Sequence, residues 1–173
     1  DTAKEIWDKC NAMLRTKNYS VRNLLKMQNV SVLCTTDDPA DSLEWHKKIR
    51  EDNFKIKVLP SFRPEKAMAI EKPEFSDYIE NLGDVSGCQI KDVDSLIKAL
   101  KIRLKFFVDN GCRVSDHSLE GLFFVKSSKN EVNRIFKKAL AAEFLKEEEI
   151  AKFKGYILTE LGKEYAKAGI VMQ

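Results

Sequence analysis

Val30-Ser31-Val32-Leu33-Cys34-Thr35-Thr36-Asp37-Asp38-Pro39 is the stretch whose reading decides the fold. Its first six residues are short, apolar and β-branched, the pattern of a strand covered on both faces, and the polar residues that follow end it. Asp38 suits a helix N-cap and Pro39 a first helical residue, so a helix is expected from there to about Glu51. The unit then recurs. Lys55-Ile56-Lys57-Val58-Leu59-Pro60 reads as a second strand closed by Ser61-Phe62-Arg63-Pro64. Cys112-Arg113-Val114-Ser115 reads as a third closed by Asp116-His117, and Ile170-Val171-Met172 begins a fourth. Apolar strands with little alternation, separated by helical periods, predict a parallel α/β sheet with helices on its outside.

Working outward, residues 2–15 carry Ile6, Cys10, Met13 and Leu14 at helical spacing, with Thr2 as a possible cap. Ser20 opens a short second helix, so residues 1–28 form a helical lead-in. Between the second and third strands, residues 64–110 read as a helical insertion. Within it Pro64 starts one helix, 73–82 forms another broken by Gly83 and Gly87, and Asp92 or Asp94 caps a third that runs to Asn110, where Gly111 stops it. Leu122-Phe123-Phe124-Val125 fits a short strand or a pocket-filling loop. Ser127 or Ser128 caps a helix to about Ala142. A long helix from about Lys146 to Ala168 opens on Glu147-Glu148-Glu149, as the positive helix start favours, and ends at Gly169.

The chain of 173 residues is 43% hydrophobic and 33% charged, with a net charge of +3. That composition suits one ordered domain and excludes disorder. Lysines interleaved with Asp and Glu are a solvated face and not a nucleic-acid stripe. No apolar run reaches the roughly 18 residues of a membrane span, and the first residues lack the pattern of a signal peptide. Cys10, Cys34, Cys88 and Cys112 form no CxxC or Cys/His spacing, so they are expected as buried free thiols in a cytoplasmic protein. With two histidines and no H-x-H pair, no metal residue is assigned. No GxGxxG or P-loop is present.

In parallel α/β folds functional groups collect at the carboxyl ends of strands. Three of those ends deliver Asp37, Arg63, and Asp116 with His117 to one rim. Asp38 reads better as a cap, whereas Asp37 is open to either role. Arg63 reads equally as a surface ion-pair partner or as a guanidinium that grips a carboxylate with two hydrogen bonds. Asp116-His117 is either a turn or a place for acid–base chemistry. Ser115, Asp116 and His117 are no catalytic triad, because neighbours on a strand point to opposite faces. His46, inside an expected helix, reads as structural or surface.

Cys34-Thr35-Thr36-Asp37-Asp38-Pro39 with Asp41-Ser42-Leu43-Glu44 and His46-Lys47-Lys48 resembles the uronate isomerases. So do Lys57 to Ala67, Asn110 to His117, Leu161 to Ala166, and Val171-Met172-Gln173. The resemblance implies the amidohydrolase superfamily and a distorted TIM barrel. Of that barrel this chain would be an internal fragment: a half barrel with parallel strands at roughly 30–35, 55–61, 112–116 and 170–173. It implies aldose–ketose isomerisation of D-glucuronate to D-fructuronate and of D-galacturonate to D-tagaturonate, by a cytoplasmic homo-oligomer with a divalent metal such as zinc. The family's metal-binding H-x-H and L-H-x-G match no position here. The motifs that remain map Arg63 and Asp37 to substrate binding and Asp116 and His117 to catalysis, and the fragment alone is expected to be inactive. A self-contained α/β module that binds an acidic small molecule is the alternative.

Overall fold

The computed structural model describes residues 2–119 and 124–173. It is α/β, mostly helical with a few short parallel strands. Helices α1 (Thr2–Leu14) and α2 (Val21–Met27), joined by a 3₁₀ turn at Lys17–Tyr19, precede β1 (Val32–Cys34). Then come α3 (Glu44–Glu51), β2 (Lys57–Leu59), α4 (Glu65–Met68), α5 (Phe75–Ser86) and α6 (Val93–Asp109). After β3 (Val114–Ser115) follow α7 (Lys129–Leu140), α8 (Glu147–Ala168) and β4 (Val171–Met172).

β1 pairs in parallel with β2, and β3 in parallel with β4. The two pairs are joined through Phe62, which bridges Asp37 on one side and Ser115 on the other. Its N–H donates to the Val114 carbonyl at 3.1 Å, and its own carbonyl accepts from the Asp116 N–H at 3.0 Å. On the opposite edge Asp37 N–H donates to the Ser61 carbonyl, and Arg63 N–H to the Asp37 carbonyl. Four segments therefore lie side by side in chain order, with their carboxyl ends on one rim.

The strands are shorter than their sequence patterns, because neighbouring elements claim the flanking backbone. Val30 N–H closes α2 on the Leu25 carbonyl, Cys112 N–H closes α6 on Phe107, and Ile170 N–H closes α8 on Tyr165. Pro60, with no N–H, interrupts β2. The expected both-face burial of the first strand does not hold: Val32 and Cys34 are exposed while Leu33 is half-buried, so helices cover one face only. Of the thiols expected inside, only Cys112 is buried; Cys10 and Cys34 are exposed and Cys88 is half-buried.

Helix boundaries shift for local reasons. Asp38 and Pro39 do not start α3. Leu43, at φ 55°, is its N-cap, and the Asp38 carboxylate accepts from the Ala40 N–H at 2.8 Å in an Asx turn. Thr2 is the first residue of α1, not its cap, and α1 has no buried residue, so its apolar stripe faces solvent. Gly83 lies inside α5, and Gly87, at φ 63°, caps its end. Asp92 caps α6 in a box: Ser95 N–H donates to its carboxylate at 2.8 Å and Ser95 Oγ accepts from the Asp92 N–H. Those bonds from Ser95 hold the Asp92 carboxyl below its ordinary value. Gly111 has φ 101°, and a Cβ there would lie 3.2 Å from Leu59 Cδ2, so turn and packing both require glycine. Ser128, not Ser127, caps α7. Leu122 and Phe123 lie outside the described residues; Phe124 and Val125 belong to no strand.

Two aromatic clusters hold the layers. Behind the strands, Phe62 packs edge-on to Phe107 at 5.2 Å and to Tyr165 at 6.2 Å. Among the helices, Phe75 meets Phe136 and Phe153 edge-on, and those two stack at 6.0 Å. Phe62 is fully buried. Truncation by Phe62→Ala is expected to cost about 3–5 kcal/mol through lost burial and the cavity left behind. Urea unfolding of the variant against the parent chain measures it, and a loss under about 1 kcal/mol would show that Phe62 does not anchor the sheet.

Candidate functional site

The rim is assembled from the segments that follow β1, β2 and β3. Alternation along Ser61-Phe62-Arg63 sends Phe62 into the core, which leaves Arg63 on the other side. Arg63 Nε lies 3.3 Å from Glu65 Oε2 and 3.5 Å from Asp116 Oδ2, with its side chain about one-third exposed. Thr36 Oγ1 donates to the same Asp116 oxygen at 3.4 Å. Arg63 and Asp116 are thus brought together, as their shared rim suggested.

Asp37 is directed elsewhere. Its Oδ2 accepts from Thr35 Oγ1 at 2.6 Å and from the Ser61 N–H at 3.1 Å, and lies 3.7 Å from His46 Nε2. His46 Nε2 is also 2.7 Å from Thr35 Oγ1. The imidazole Nε2 thus faces both Thr35 Oγ1 and Asp37 Oδ2, and the buried Nδ1 has no hydrogen-bond partner among the described residues. This buried group ties the carboxyl ends of β1 and β2 to α3.

His117 uses both ring nitrogens. Nδ1 is 3.0 Å from the Gln173 carbonyl, which can only accept, so Nδ1 carries hydrogen. Nε2 lies 3.2 Å from the Tyr165 hydroxyl, within hydrogen-bond distance. Burial pushes the Tyr165 phenol well above its ordinary value, with the nearby Glu65 charge adding to it, so Tyr165 stays a neutral donor. The ring joins the segment after β3 to the end of β4.

Sequence reading assigned no role to Glu65, Tyr165 or Arg103. Glu65 stood two residues after Arg63, a spacing that signals proximity without direction. Arg103 gave no signal, since a lone Arg on an amphipathic helix reads as surface. It is buried, and its Nε donates to the Pro39 carbonyl at 2.6 Å while its terminal amino groups donate to Asp41 at 2.7 Å and Val85 at 3.4 Å. Its plane lies over Phe106. Burial lowers its pKa, opposed by the Asp41 charge. Tyr78 adds a hydrogen bond to Asp38 at 2.9 Å. The insertion helices thereby hold the loop that follows β1.

Among the described residues no group of three or more His, Cys, Asp or Glu could hold a metal ion, and no helix is long and apolar enough to cross a membrane. The family described as glucuronate isomerase matches residues 1–173. A uronate isomerase of Lachnospira eligens is 49% identical over 174 residues, covering 100% of this chain and 37% of the relative. One of Clostridium perfringens is 49% identical over 173 residues, covering 99% and 37%. The crystal structure of a Thermotoga maritima uronate isomerase matches with TM-score 0.90 at 31% identity, over 99% of this chain and 38% of that one. A Caulobacter crescentus glucuronate isomerase structure matches with TM-score 0.88 at 27% identity, over 99% and 36%. The chain spans 37% of the length of these curated relatives.

Replacing Arg103 with Met strips donors from the Pro39 and Asp41 carbonyls. The expected loss is about 2–4 kcal/mol, and Arg103→Lys does not recover it, because an ammonium cannot serve that fan of acceptors. Chemical denaturation of both variants tests this; full recovery by Lys would assign the effect to charge alone.

Proposed function

The chain belongs to the glucuronate isomerase family, and on that premise we propose that it is part of a uronate isomerase and supplies substrate contacts at the rim of a larger barrel. The observation that carries this reading is Arg63. Its Nε faces Glu65 and Asp116, and its terminal amino groups make no hydrogen bond among the described residues. A guanidinium held in this way offers two parallel N–H groups, the geometry that matches a carboxylate. A uronate differs from the corresponding sugar by that carboxylate.

The proposed reaction is the aldose–ketose isomerisation of D-glucuronate to D-fructuronate and of D-galacturonate to D-tagaturonate. A proton leaves C2 and one is delivered to C1 through an enediol, while the C2 hydroxyl proton passes to the oxygen on C1. No electron acceptor is consumed. Asp116, beside Arg63 and partly exposed, is proposed to orient a sugar hydroxyl or accept its proton. His117 stands next to it as the weaker catalytic candidate, because both its nitrogens are engaged. Asp37 is the weaker substrate contact, since its carboxylate serves Thr35 and Ser61.

An eight-stranded barrel of the amidohydrolase type, a cytoplasmic place and a homo-oligomeric parent belong to the same proposal and rest on family resemblance. A divalent metal such as zinc belongs to it as well, as a Lewis acid for the substrate oxygens. The described residues do not fit such an ion.

Two outcomes are expected. The 173-residue chain alone converts no D-glucuronate in a coupled ketose assay. In the full-length polypeptide that carries this sequence, Arg63→Met lowers kcat/KM by about 10²-fold or more, with the melting temperature held within a few degrees. An unchanged kcat/KM would remove Arg63 from the site.

A further inference from the structure

Arg63 meets two carboxylates with a single Nε–H. Glu65 Oε2 is at 3.3 Å and Asp116 Oδ2 at 3.5 Å, and one N–H cannot point along both lines. Glu65 Oε2 is buried and makes no hydrogen bond of good geometry, so the Arg63 charge is what it faces. Its other oxygen, Oε1, accepts the Ser118 N–H at 2.6 Å. Glu65 opens α4, which is seated by the buried Ala67 and Met68. One side chain therefore joins three things: the rim arginine after β2, the backbone two residues beyond Asp116, and a helix set in the core.

We infer that Glu65 is a positioning residue: it fixes the direction of the Arg63 guanidinium so that the terminal amino groups meet the uronate carboxylate. The inference rests on the proposed site reading of Arg63. Two features separate it from a plain structural ion pair. First, the contact given for each acid is at Nε, and the terminal amino groups that match a carboxylate make no hydrogen bond among the described residues. Second, two acids share one cation, which exceeds what charge neutralisation requires, so Asp116 can turn toward substrate while Glu65 keeps its hold. Binding through an arginine already held loses less side-chain freedom than binding through a mobile one.

A double-mutant cycle in the full-length polypeptide tests this, with D-glucuronate as the substrate. Glu65→Ala in the Arg63 background is expected to raise KM about tenfold, within the range typical for groups that orient a ligand-binding side chain, with kcat within about twofold. In the Arg63→Met background the same substitution should change KM by less than about twofold, because there is no guanidinium left to direct. E65Q keeps the size and carries the same cycle should Glu65→Ala fail to fold. It should also raise KM, since an amide that accepts from Ser118 turns its NH₂ toward Arg63. An equal change of KM in both backgrounds, or no change with Arg63 present, overturns the positioning role while leaving Arg63 in the site. If Arg63→Met itself has no effect, the site reading and this inference fall together.

Discussion

The backbone of Phe62 is the constraint on which the structure depends. It is the residue through which the β1–β2 pair and the β3–β4 pair become one surface, through bridges to Asp37 and Ser115. Its side chain, turned the opposite way from Arg63, is buried against Phe107 of α6 and Tyr165 of α8. One residue thus sets the lateral order of the strands and the seating of the two longest helices. Edge-on aromatic contacts favour one mutual orientation of the rings and not merely their proximity, so the sheet is held at a defined angle to its helices. The rim follows from this. With Phe62 inward, Arg63 must lie on the open side, next to the residues that follow β1 and β3.

The rim is also held from the outside. Arg103, on a helix of the insertion, spends its donors on backbone carbonyls of the loop after β1 and of α5. A buried cation is costly to desolvate, and here three backbone carbonyls and the face of Phe106 offset that cost. Tyr78 and Lys66 reach Asp38 from α5 and α4. The insertion is therefore the support of the site loop as well as a separate packing layer around Phe75, Phe136 and Phe153. Tyr165 of α8 links the core to the rim: its ring packs on Phe62, and its hydroxyl meets His117.

Local signals that act within a few residues were legible. A cap at Asp92 or Asp94 (the structure uses Asp92), the acidic first turn of α8, and the left-handed stops at Gly87, Gly111 and Gly169 depend on backbone geometry that the side chains themselves favour. The parallel α/β class was legible from four apolar runs between helical periods. Their lengths were not, because hydrogen bonds that close a helix compete with the sheet for the same N–H groups, as at Val30, Cys112 and Ile170. Nor was the start of α3, where Asp38 spends its carboxylate on Ala40 and Tyr78. Exposure of Val32 and Cys34 was hidden too: an apolar run reads the same whether one face is covered or two.

For the site, the sequence by itself determined which polar residues follow each apolar run: Asp37, Arg63, and Asp116 with His117. It also carried the family, through long motifs that need no structure to be matched. Tertiary structure alone decided which of those residues meet. It placed Arg63 beside Asp116, turned Asp37 toward Thr35 and Ser61, and occupied both nitrogens of His117. It brought in Glu65, Tyr165 and Arg103, whose hydrogen-bond partners lie up to 64 residues away along the chain. The order of residues after an apolar run is fixed along the chain, whereas a hydrogen bond across the rim depends on where separate elements come to rest, and packing around Phe62 sets those positions.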